Sequence, residues 1–460
     1  METSETGTNM KDMTKGSPAR LIIMFTIPLI CGCIFQQLYN LGDSKIVSMF
    51  LDQYAFAAVG MTATVSNVLI GLTNGFTQGF GILVSNSFGA KEEARLRRCV
   101  AGSIFLTFLL IIVLTVSGFL TIRPILKLLD TPDEVMGYAL RYVRIIIGGI
   151  AFTAIYNLCA NLLRALGDSR TPLYFLILSV VLNLITDYLF VGVFKMGIEG
   201  AAYATVLSQI VCCVLCIIYI LAKYRYILPH REDWAAMKSE LSNLFATGLS
   251  MGLMGCIVNI GTVILQLGIN SLGSDIMAAH VAGRRIFDLT LILIYTFGIT
   301  MTTYVGQNTG AGRLDRVRQG VRSANIIVTV ISVSLLLITF LISRPIISWL
   351  ASTDNKTIVD NGVMYCRLGV CFYFSLGPLF VLRCTLQGLG HKVAPLFSSI
   401  LELTVKILSV LFLVPALGYL GVALTEPISW VFMTIMLTAM YFYYMPRDEK
   451  LYSKENSKEN

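Results

Sequence analysis

Twelve long apolar stretches are the feature that most constrains how this chain of 460 residues can fold. A helix of about 20 mainly apolar residues crosses the hydrocarbon core of a bilayer, and each stretch is about that long or longer. Charged residues make up only 13% of the chain, against about 25% in an ordinary soluble protein. The sequence therefore predicts an all-α integral membrane protein with twelve transmembrane helices. The predicted spans are 21–41, 55–84, 99–121, 135–159, 171–194, 198–222, 242–270, 276–305, 321–342, 358–382, 393–415 and 420–444.

The loops between these stretches carry most of the basic residues, and they carry them unevenly. Lys and Arg are concentrated in the tails and in every second loop, for example at Arg95 and Arg97 after span 2 and at Arg316 after span 8. Loops rich in Lys and Arg stay in the cytoplasm. Both termini are therefore predicted to be cytoplasmic. The net charge of +8 indicates topology, and no nucleic-acid partner is expected.

An internal repeat runs through the chain. Arg123-Pro124-Ile125 recurs as Arg344-Pro345-Ile346, Tyr142-x-Arg144 recurs as Tyr365-x-Arg367, and further motifs follow in the same order. Each copy holds six spans, an even number, so both copies have the same orientation. The prediction is two six-helix bundles related by a pseudo-two-fold axis along the membrane normal, with a cleft between them. The predicted segments are an N-terminal tail at 1–17, a first bundle at 18–222, a linker at 223–240, a second bundle at 241–445 and a C-terminal tail at 446–460.

Two acidic residues in the first bundle are candidates for function. Asp187 lies deep in the fifth span, where a charged Asp costs at least about 3 kcal/mol, and Asn183 lies one helical turn before it. Such a carboxylate must face a cavity or a partner, or bind a proton. Asp43 lies near the outer end of the first span, on one helical face with Gln36 and Asn40.

Topology predicts which other polar residues lie at the depth of these acids. Spans 1 and 5 run outward and carry Asp43 and Asp187 near their outer ends. Spans 4 and 6 run inward, and they meet Tyr142 and Thr205 early. These four side chains are therefore expected at similar depth in the outer half of the first bundle, with Asn157 deeper.

A purely structural interpretation is open for each acid. Asp187 could form a permanent ion pair with Arg144 or Arg141 on span 4. Asp43 could be solvated beside Lys45 in the outer loop.

The second half carries charges of its own. Arg284 and Asp288 are four residues apart, as are Glu402 and Lys406, so each pair is expected to neutralise itself. Glu426 has no evident local partner, and it is a secondary acidic candidate.

Several motifs together resemble those of a known family. They are Pro28 with the run QQLYNLGD at 36–43, LGD at 166–168 with Pro172-Leu173, Asn183-x3-Asp187, and MGI at 196–198 with Gly200-Ala201-Ala202. With twelve spans in two halves, the chain resembles the prokaryotic branch of the multidrug and toxic compound extrusion (MATE) family of secondary transporters. The resemblance covers about residues 18–445.

The resemblance implies an ion-coupling site for H⁺ or Na⁺ in the first bundle. Its residues would be Asp43, Asp187, Asn183, Tyr142, Asn157 and Thr205. Four of these could bind Na⁺, namely Asp43, Asn157, Asn183 and Thr205. Pro28 removes one helical hydrogen bond below Asp43 and is the candidate hinge.

The implied function is export of amphipathic cationic drugs or toxic metabolites in exchange for the ion, by alternating access. We expect no cofactor, no enzymatic activity, a monomer, and a bacterial inner or plasma membrane location. The candidate residues of the substrate cleft are Gln36, Tyr39, Asn40, Met61, Asn67, Phe152 and Tyr295.

The alternative function in the same superfamily is a lipid-linked saccharide flippase. Such proteins often have extra spans and a cleft rich in basic residues, whereas this chain has twelve spans and few Arg within them. A membrane-embedded enzyme is disfavoured because no His-Glu-x-x-His or Gly-x-Ser-x-Gly motif occurs. A channel would need a continuous polar pore, which the spans do not supply.

Overall fold

The computed structural model describes residues 11–351 and 355–459, with side chains placed for all of these except 64 and 452–459, and this part of the chain is helical. Short turns join the helices. The helices are α1 (Pro18–Phe50), α2 (Gln53–Gly89), α3 (Glu93–Leu128), α4 (Asp133–Ala165), α5 (Arg170–Asp187) continued by a π-helix (Tyr188–Val193), α6 (Gly197–Lys223), a 3₁₀ turn (Arg225–Ile227), α7 (Arg231–Ala236), α8 (Lys238–Asn270), α9 (Ser274–Gly310), α10 (Leu314–Ala351), α11 (Lys356–Cys371), α12 (Tyr373–Gly388), α13 (Val393–Leu408) continued by a second π-helix (Ser409–Leu413), α14 (Val414–Leu417) and α15 (Tyr419–Glu459).

Eleven of the described helices are long and apolar enough to cross a membrane. The pair α11–α12, bent by 53° at Phe372, counts as a twelfth span. The predicted all-α membrane fold with twelve spans is therefore confirmed. Several helices extend beyond the apolar stretches, and α1 continues to Phe50 where the predicted span ends at 41. A helix makes its backbone hydrogen bonds internally, so it can continue past the hydrocarbon into polar sequence.

The chain divides into two compact units. Unit 1 contains Lys11 and Asp12 with Ile27–Gly255, and unit 2 contains Met13–Thr26 with Cys256–Asn460. This division differs from the predicted boundaries in two places. The first turns of α1 belong to unit 2, where Thr26 Oγ1 shares a 2.7 Å hydrogen bond with Thr300 Oγ1 of α9. The first half of α8 belongs to unit 1.

Glycines explain why the first half of α8 packs within unit 1. Gly75 and Gly79 on α2 face Gly252 and Gly248 on α8, so two Gly-x3-Gly motifs meet. A Cβ on Gly79 would lie 2.7 Å from the Cα of Gly248, and one on Gly75 would lie 2.8 Å from the Cα of Gly252. Small residues at this spacing let two membrane helices approach closely, and the backbones here leave no room for a side chain.

Gly79→Ala should therefore destabilise the protein by about 1–3 kcal/mol, because the added methyl group meets backbone atoms that cannot move aside. The matched control is Gly60→Ala on the same helix, where nothing lies within 4 Å of the added Cβ. Thermal unfolding of the purified protein measures both. Equal melting temperatures for the two variants would contradict the close packing of α2 on α8.

The predicted linker at 223–240 is docked on unit 1. Tyr224 and Ile227 are fully buried, and the Tyr224 hydroxyl donates to Asp168 Oδ2 at 3.0 Å. At the start of α7, Asp233 accepts from the His230 N–H at 2.8 Å and from Arg97 Nε at 3.0 Å. Burial opposes ionisation of Asp233, but these hydrogen bonds outweigh it and hold the pKa of its carboxyl below the usual range.

Asp233→Asn should loosen the linker at neutral pH. Because the folded-state pKa is lowered, Asp233 contributes stability above its unfolded pKa of about 4, and this contribution is lost as pH falls through the folded value. Hydrogen exchange of the α7 amides should therefore be faster in the variant from pH 8 to pH 5, with the difference shrinking below pH 4. The exposed neighbour Glu232→Gln should show no such change. A difference that persists unchanged at pH 3 would argue against the ionised carboxylate as its cause.

Candidate functional site

Two carboxyl groups meet inside unit 1. Asp187, the last residue of α5, is fully buried, and Asp43 of α1 is half-buried. The two carboxyls lie within hydrogen-bond range of each other. Asp187 Oδ1 is buried and receives no hydrogen bond from any donor that the structure describes. Two ionised carboxylates at this separation repel, so the arrangement is suited to holding a proton or a small cation.

Asn183, itself held by Thr205, binds the other oxygen of Asp187. With its amide oriented to satisfy both neighbours, Asn183 donates from Nδ2 to Asp187 Oδ2 at 2.7 Å and accepts from the Thr205 N–H at 3.2 Å. The Tyr39 hydroxyl lies near Thr205, and Tyr142 lies close to Asp43 and Tyr39. The structure thus brings together Asp43, Asp187, Asn183, Tyr142 and Thr205 at one level of four helices, as the topology predicts.

A glycine permits the close approach of α1 to α5. A Cβ on Gly42 would lie 2.6 Å from Cδ2 of Leu184, so that side chain would have to move if Gly42 were larger. Gly42 directly precedes Asp43, and Leu184 lies three residues before Asp187. The tightest contact between the helices therefore lies beside the two acids and sets how closely they meet.

The backbone changes register directly after Asp187. Residues Tyr188–Val193 form a π-helix, in which the Phe194 N–H donates to the Leu189 carbonyl. A second π-helix, Ser409–Leu413, follows α13 in unit 2. Short π segments are rare in proteins overall, and many of those that occur lie at functional sites. Neither was predicted, because no residue pattern in the sequence distinguishes them from ordinary helix.

The prediction that an arginine could pair with Asp187 is wrong. Arg141 donates instead to Glu199 Oε1 at 2.9 Å, and Arg144 is exposed. Among the residues that the structure describes, no basic side chain lies within 4.0 Å of Asp187. Asp43 is not a solvated loop residue either, because α1 continues through it to Phe50.

Asn157 does not join this cluster. It lies fifteen residues after Tyr142 on α4, which is roughly 22 Å of helical rise, too far to share one ion with Asp43. Asn157 is therefore removed from the predicted set of Na⁺ ligands. The buried amide at this deeper level is Asn161, which donates to Thr77 Oγ1 at 2.9 Å, and sequence analysis did not single it out.

The candidate residues of the substrate cleft have varied surroundings. Tyr39 lies near Thr205 and therefore belongs to the cluster around Asp43 and Asp187, in addition to being a candidate for the cleft lining. Tyr295 is 37% exposed and packs edge-on against Phe380. Their role with substrate stays a prediction, as does that of the others, of which Gln36, Asn40 and Asn67 are exposed and Met61 and Phe152 are partly buried.

Glu426 has no evident local partner in the sequence, but the structure gives it partners that are distant along the chain. Arg284 donates from Nη1 to Glu426 Oε1 at 2.8 Å and from Nε to Asp288 Oδ1 at 2.8 Å. The Tyr365 hydroxyl donates to Glu426 Oε2 at 3.4 Å. The sequence could not reveal the pair, because 142 residues separate Arg284 from Glu426. Glu426 is therefore neutralised by a guanidinium, unlike Asp187.

The second charge pair of unit 2 is as predicted. Lys406 Nζ donates to Glu402 Oε1 at 2.8 Å, and both side chains are largely buried. The self-pairing of Arg284 with Asp288 and of Lys406 with Glu402 is confirmed.

Arg284→Met should cost about 3–5 kcal/mol of stability, because it leaves Glu426 buried without its counter-charge. The double variant Arg284→Met/Glu426→Gln should recover most of this loss. Arg344→Met is the matched control, because the ion pair of Arg344 with Asp360 at 3.0 Å is exposed and should be worth less than about 1 kcal/mol. Unfolding free energies measured in denaturant test this, and equal losses for Arg284→Met and Arg344→Met would contradict it.

Comparisons with known proteins bear on this site. A family model described as MatE matches the chain twice, over residues 28–189 and 251–412, as the internal repeat predicts. The probable multidrug resistance protein YoeA of Bacillus subtilis is 28% identical over 96% of this chain and 97% of its own length. The FAD transporter of Shewanella oneidensis is 24% identical over 90% of this chain and 92% of its own. A crystal structure of a MATE protein in complex with MaL6 has the same fold, with a TM-score of 0.88 at 21% identity over 97% of this chain and 100% of that one.

Proposed function

The chain belongs to the MatE family of multidrug efflux transporters, and we propose from this that it is a secondary active antiporter. It exports amphipathic cationic drugs or toxic metabolites in exchange for H⁺ or Na⁺. The observation that carries the proposal is the contact of Asp43 with Asp187, in which one buried oxygen has no donor among the described residues. A carboxyl pair inside a bilayer without a basic neighbour needs an exchangeable positive charge.

The exchange follows from charge compensation. A proton or Na⁺ between the two carboxyls cancels a negative charge that otherwise attracts a cationic substrate. The same site cannot favour both cations at once, so binding of one promotes release of the other. Asn183 and Thr205 keep Asp187 Oδ2 in place through both states, so the exchange takes place at Oδ1 and at Asp43. The direct approach of the two carboxyls favours a shared proton, with Na⁺ as the alternative ion.

Pro28 supplies a point at which α1 can respond. It has no N–H to donate within the helix, and it lies two residues after Thr26, where α1 passes from unit 2 to unit 1. Thr26 is held by Thr300. Binding at Asp43 can therefore bend the outer part of α1 while its first turns stay in place, and this bend is the proposed trigger for release of substrate to the outside.

The membrane setting completes the proposal. The uneven distribution of basic loops supports cytoplasmic termini, so that the Asp43 end of α1 points outward. The protein acts as a monomer in a bacterial cell membrane. The flippase alternative is not favoured, because relatives along nearly the whole chain are named for drug resistance. The relative named as an FAD transporter indicates that substrates differ among these proteins, so an organic anion is the second candidate substrate.

Asp187→Asn should abolish ion-driven export while leaving the fold intact, because an amide keeps the shape but cannot take up the exchanged charge. Proteoliposomes that carry a pH or Na⁺ gradient, with a fluorescent cationic dye as substrate, measure this. We expect at least about a tenfold loss of gradient-driven dye transport, and Asp43→Asn should behave likewise.

The matched control is Asp360→Asn, an exposed carboxylate of unit 2, which should transport at the native rate. Melting temperatures report whether each variant is folded. A folded Asp187→Asn variant that still couples dye movement to either gradient would refute the proposed role of the pair.

A further inference from the structure

Unit 1 contains a cavity that the proposed mechanism does not yet use. Its volume is about 640 Å³, and it lies where α1 and α5 end and where α2, α4 and α6 begin. Its lining has an apolar part, which we call the floor and which includes Leu51, Val191 and Ile198, and a charged part, which we call the rim and which consists of Asp52, Arg141, Lys195 and Glu199. We call the whole cavity the vestibule.

The floor of the vestibule lies next to the acid pair. Val47, Val191 and Ala201 form a buried apolar cluster, which we call the outer layer. Val47 lies four residues after Asp43 and Val191 lies four residues after Asp187, so each is about 6 Å further along its helix. A single layer of side chains therefore separates the cavity from the two carboxyls.

The polar cluster reaches this layer from the other side. Tyr142 packs against the outer layer and also lies close to the Asp43 carboxyl. Arg141, the residue before it, lines the vestibule. Of these two successive residues, Arg141 therefore faces the cavity and Tyr142 faces the site.

The outer layer rests on backbone that can change its register. Val191 belongs to the π-helix, in which each backbone hydrogen bond joins residues five apart instead of the four of an α-helix. Gly192 beside it has no side chain, and a Cβ there would lie 3.0 Å from the ring of Phe50. Phe50 also packs edge-on against Tyr188, with 5.7 Å between ring centroids. Conversion of the π-helix to α-helix would rotate Val191 and open the layer, and these ring contacts oppose it.

The charges at the rim are balanced. Arg141 donates to Glu199 across the starts of α4 and α6, and Asp52 accepts from the Ala55 N–H at 2.7 Å. Lys195 also lines the cavity, so two acids face two bases. A route for an ion must let the ion leave as readily as it enters. A rim without net charge does not trap a cation, and Asp43 and Asp187 supply the attraction further in.

We propose that the vestibule is the entry by which a small monovalent cation reaches Asp43 and Asp187 from outside, through the outer layer. The inference rests on the proposed function, because it assigns a path to the ion of that exchange. It also assigns a role to the π-helix, as the element whose register opens and closes the layer.

The test places a label in the vestibule after the protein has folded. Lys195 is exposed and lines the cavity, whereas Lys127, in the last turn of α3 at the predicted outer end, is exposed without lining it. Lys195→Cys and the control Lys127→Cys are made in a Cys371→Ser background, since Cys371 is the exposed cysteine of the described chain. Each is treated from outside with a bulky, membrane-impermeant biotin methanethiosulfonate, which attaches to the cysteine through a reducible disulfide. The parent protein without a new cysteine is treated in the same way.

The bulky label at position 195 should slow gradient-driven dye export at least about tenfold, and a reducing agent that removes it should restore the rate. The label at position 127 should have no effect. Two small methanethiosulfonate labels, one cationic and one anionic, should give different apparent affinities for the coupling ion, with the anionic label several-fold tighter at low salt. Steric obstruction alone would not separate these two labels.

An unchanged export rate with the bulky label, identical apparent affinities with the two small labels, or labelling at position 195 only from the cytoplasmic side would each overturn the vestibule. Asp187→Asn is measured in parallel. If that variant keeps its coupling, the proposed function itself fails. If it loses coupling while the label at position 195 has no effect, only the vestibule fails.

Discussion

The contact between Asp43 and Asp187 is the constraint on which the rest of unit 1 depends. Two acids can meet in a membrane protein only if their helices approach closely and their remaining oxygens are satisfied. Gly42 provides the approach, and Asn183 with Thr205 satisfies one oxygen of Asp187. What remains is one buried oxygen without a donor among the described residues. This incomplete satisfaction is costly for stability, and it is what makes a site respond to a mobile cation.

The second unit solves the same problem differently. Its buried acids Glu426 and Glu402 each have a basic side chain within 2.8 Å, so no mobile charge is needed. The two units share a repeat, and each carries a π-helix at the end of a corresponding span. Duplication therefore accounts for the scaffold, and the difference lies in the side chains. Tyr365, the repeat counterpart of Tyr142, donates to a neutralised carboxylate, whereas Tyr142 lies beside an unneutralised pair.

Much of this architecture could be predicted from the sequence. Spans follow from apolar length, the two halves follow from the repeated motifs, and the shared depth of Asp43, Asp187, Tyr142 and Thr205 follows from counting spans. Depth along a helix does not fix distance across a bundle, however. Asn157 is a different case: the resemblance implied it, although the sequence already places it roughly 22 Å along α4 from Tyr142.

Other features were beyond sequence reasoning for different reasons. The partner of Glu426 lies on a distant helix, and the charge of Arg284 was already assigned to its neighbour Asp288. The docking of α8 on α2 is indicated by the sequence, because both helices carry Gly-x3-Gly. The predicted bundle boundary nevertheless assigned α8 to the second half. The sequence carries no recognisable signal for the π-helices, since the choice between i+4 and i+5 bonding depends on packing around the helix.

The position of the register change explains why a proton or ion at Asp187 can affect the structure beyond its own side chain. Asp187 is the last α-helical residue of α5, so its carboxyl lies at the boundary of two hydrogen-bonding patterns. The π segment that follows carries Val191 into the apolar layer above the acids. A change of charge at the boundary alters the repulsion between the acids of α1 and α5, and the π segment is the part of the helix that can adjust to it. In the proposed exchange, the residue that binds the ion therefore also lies at the start of the segment that would move to admit it.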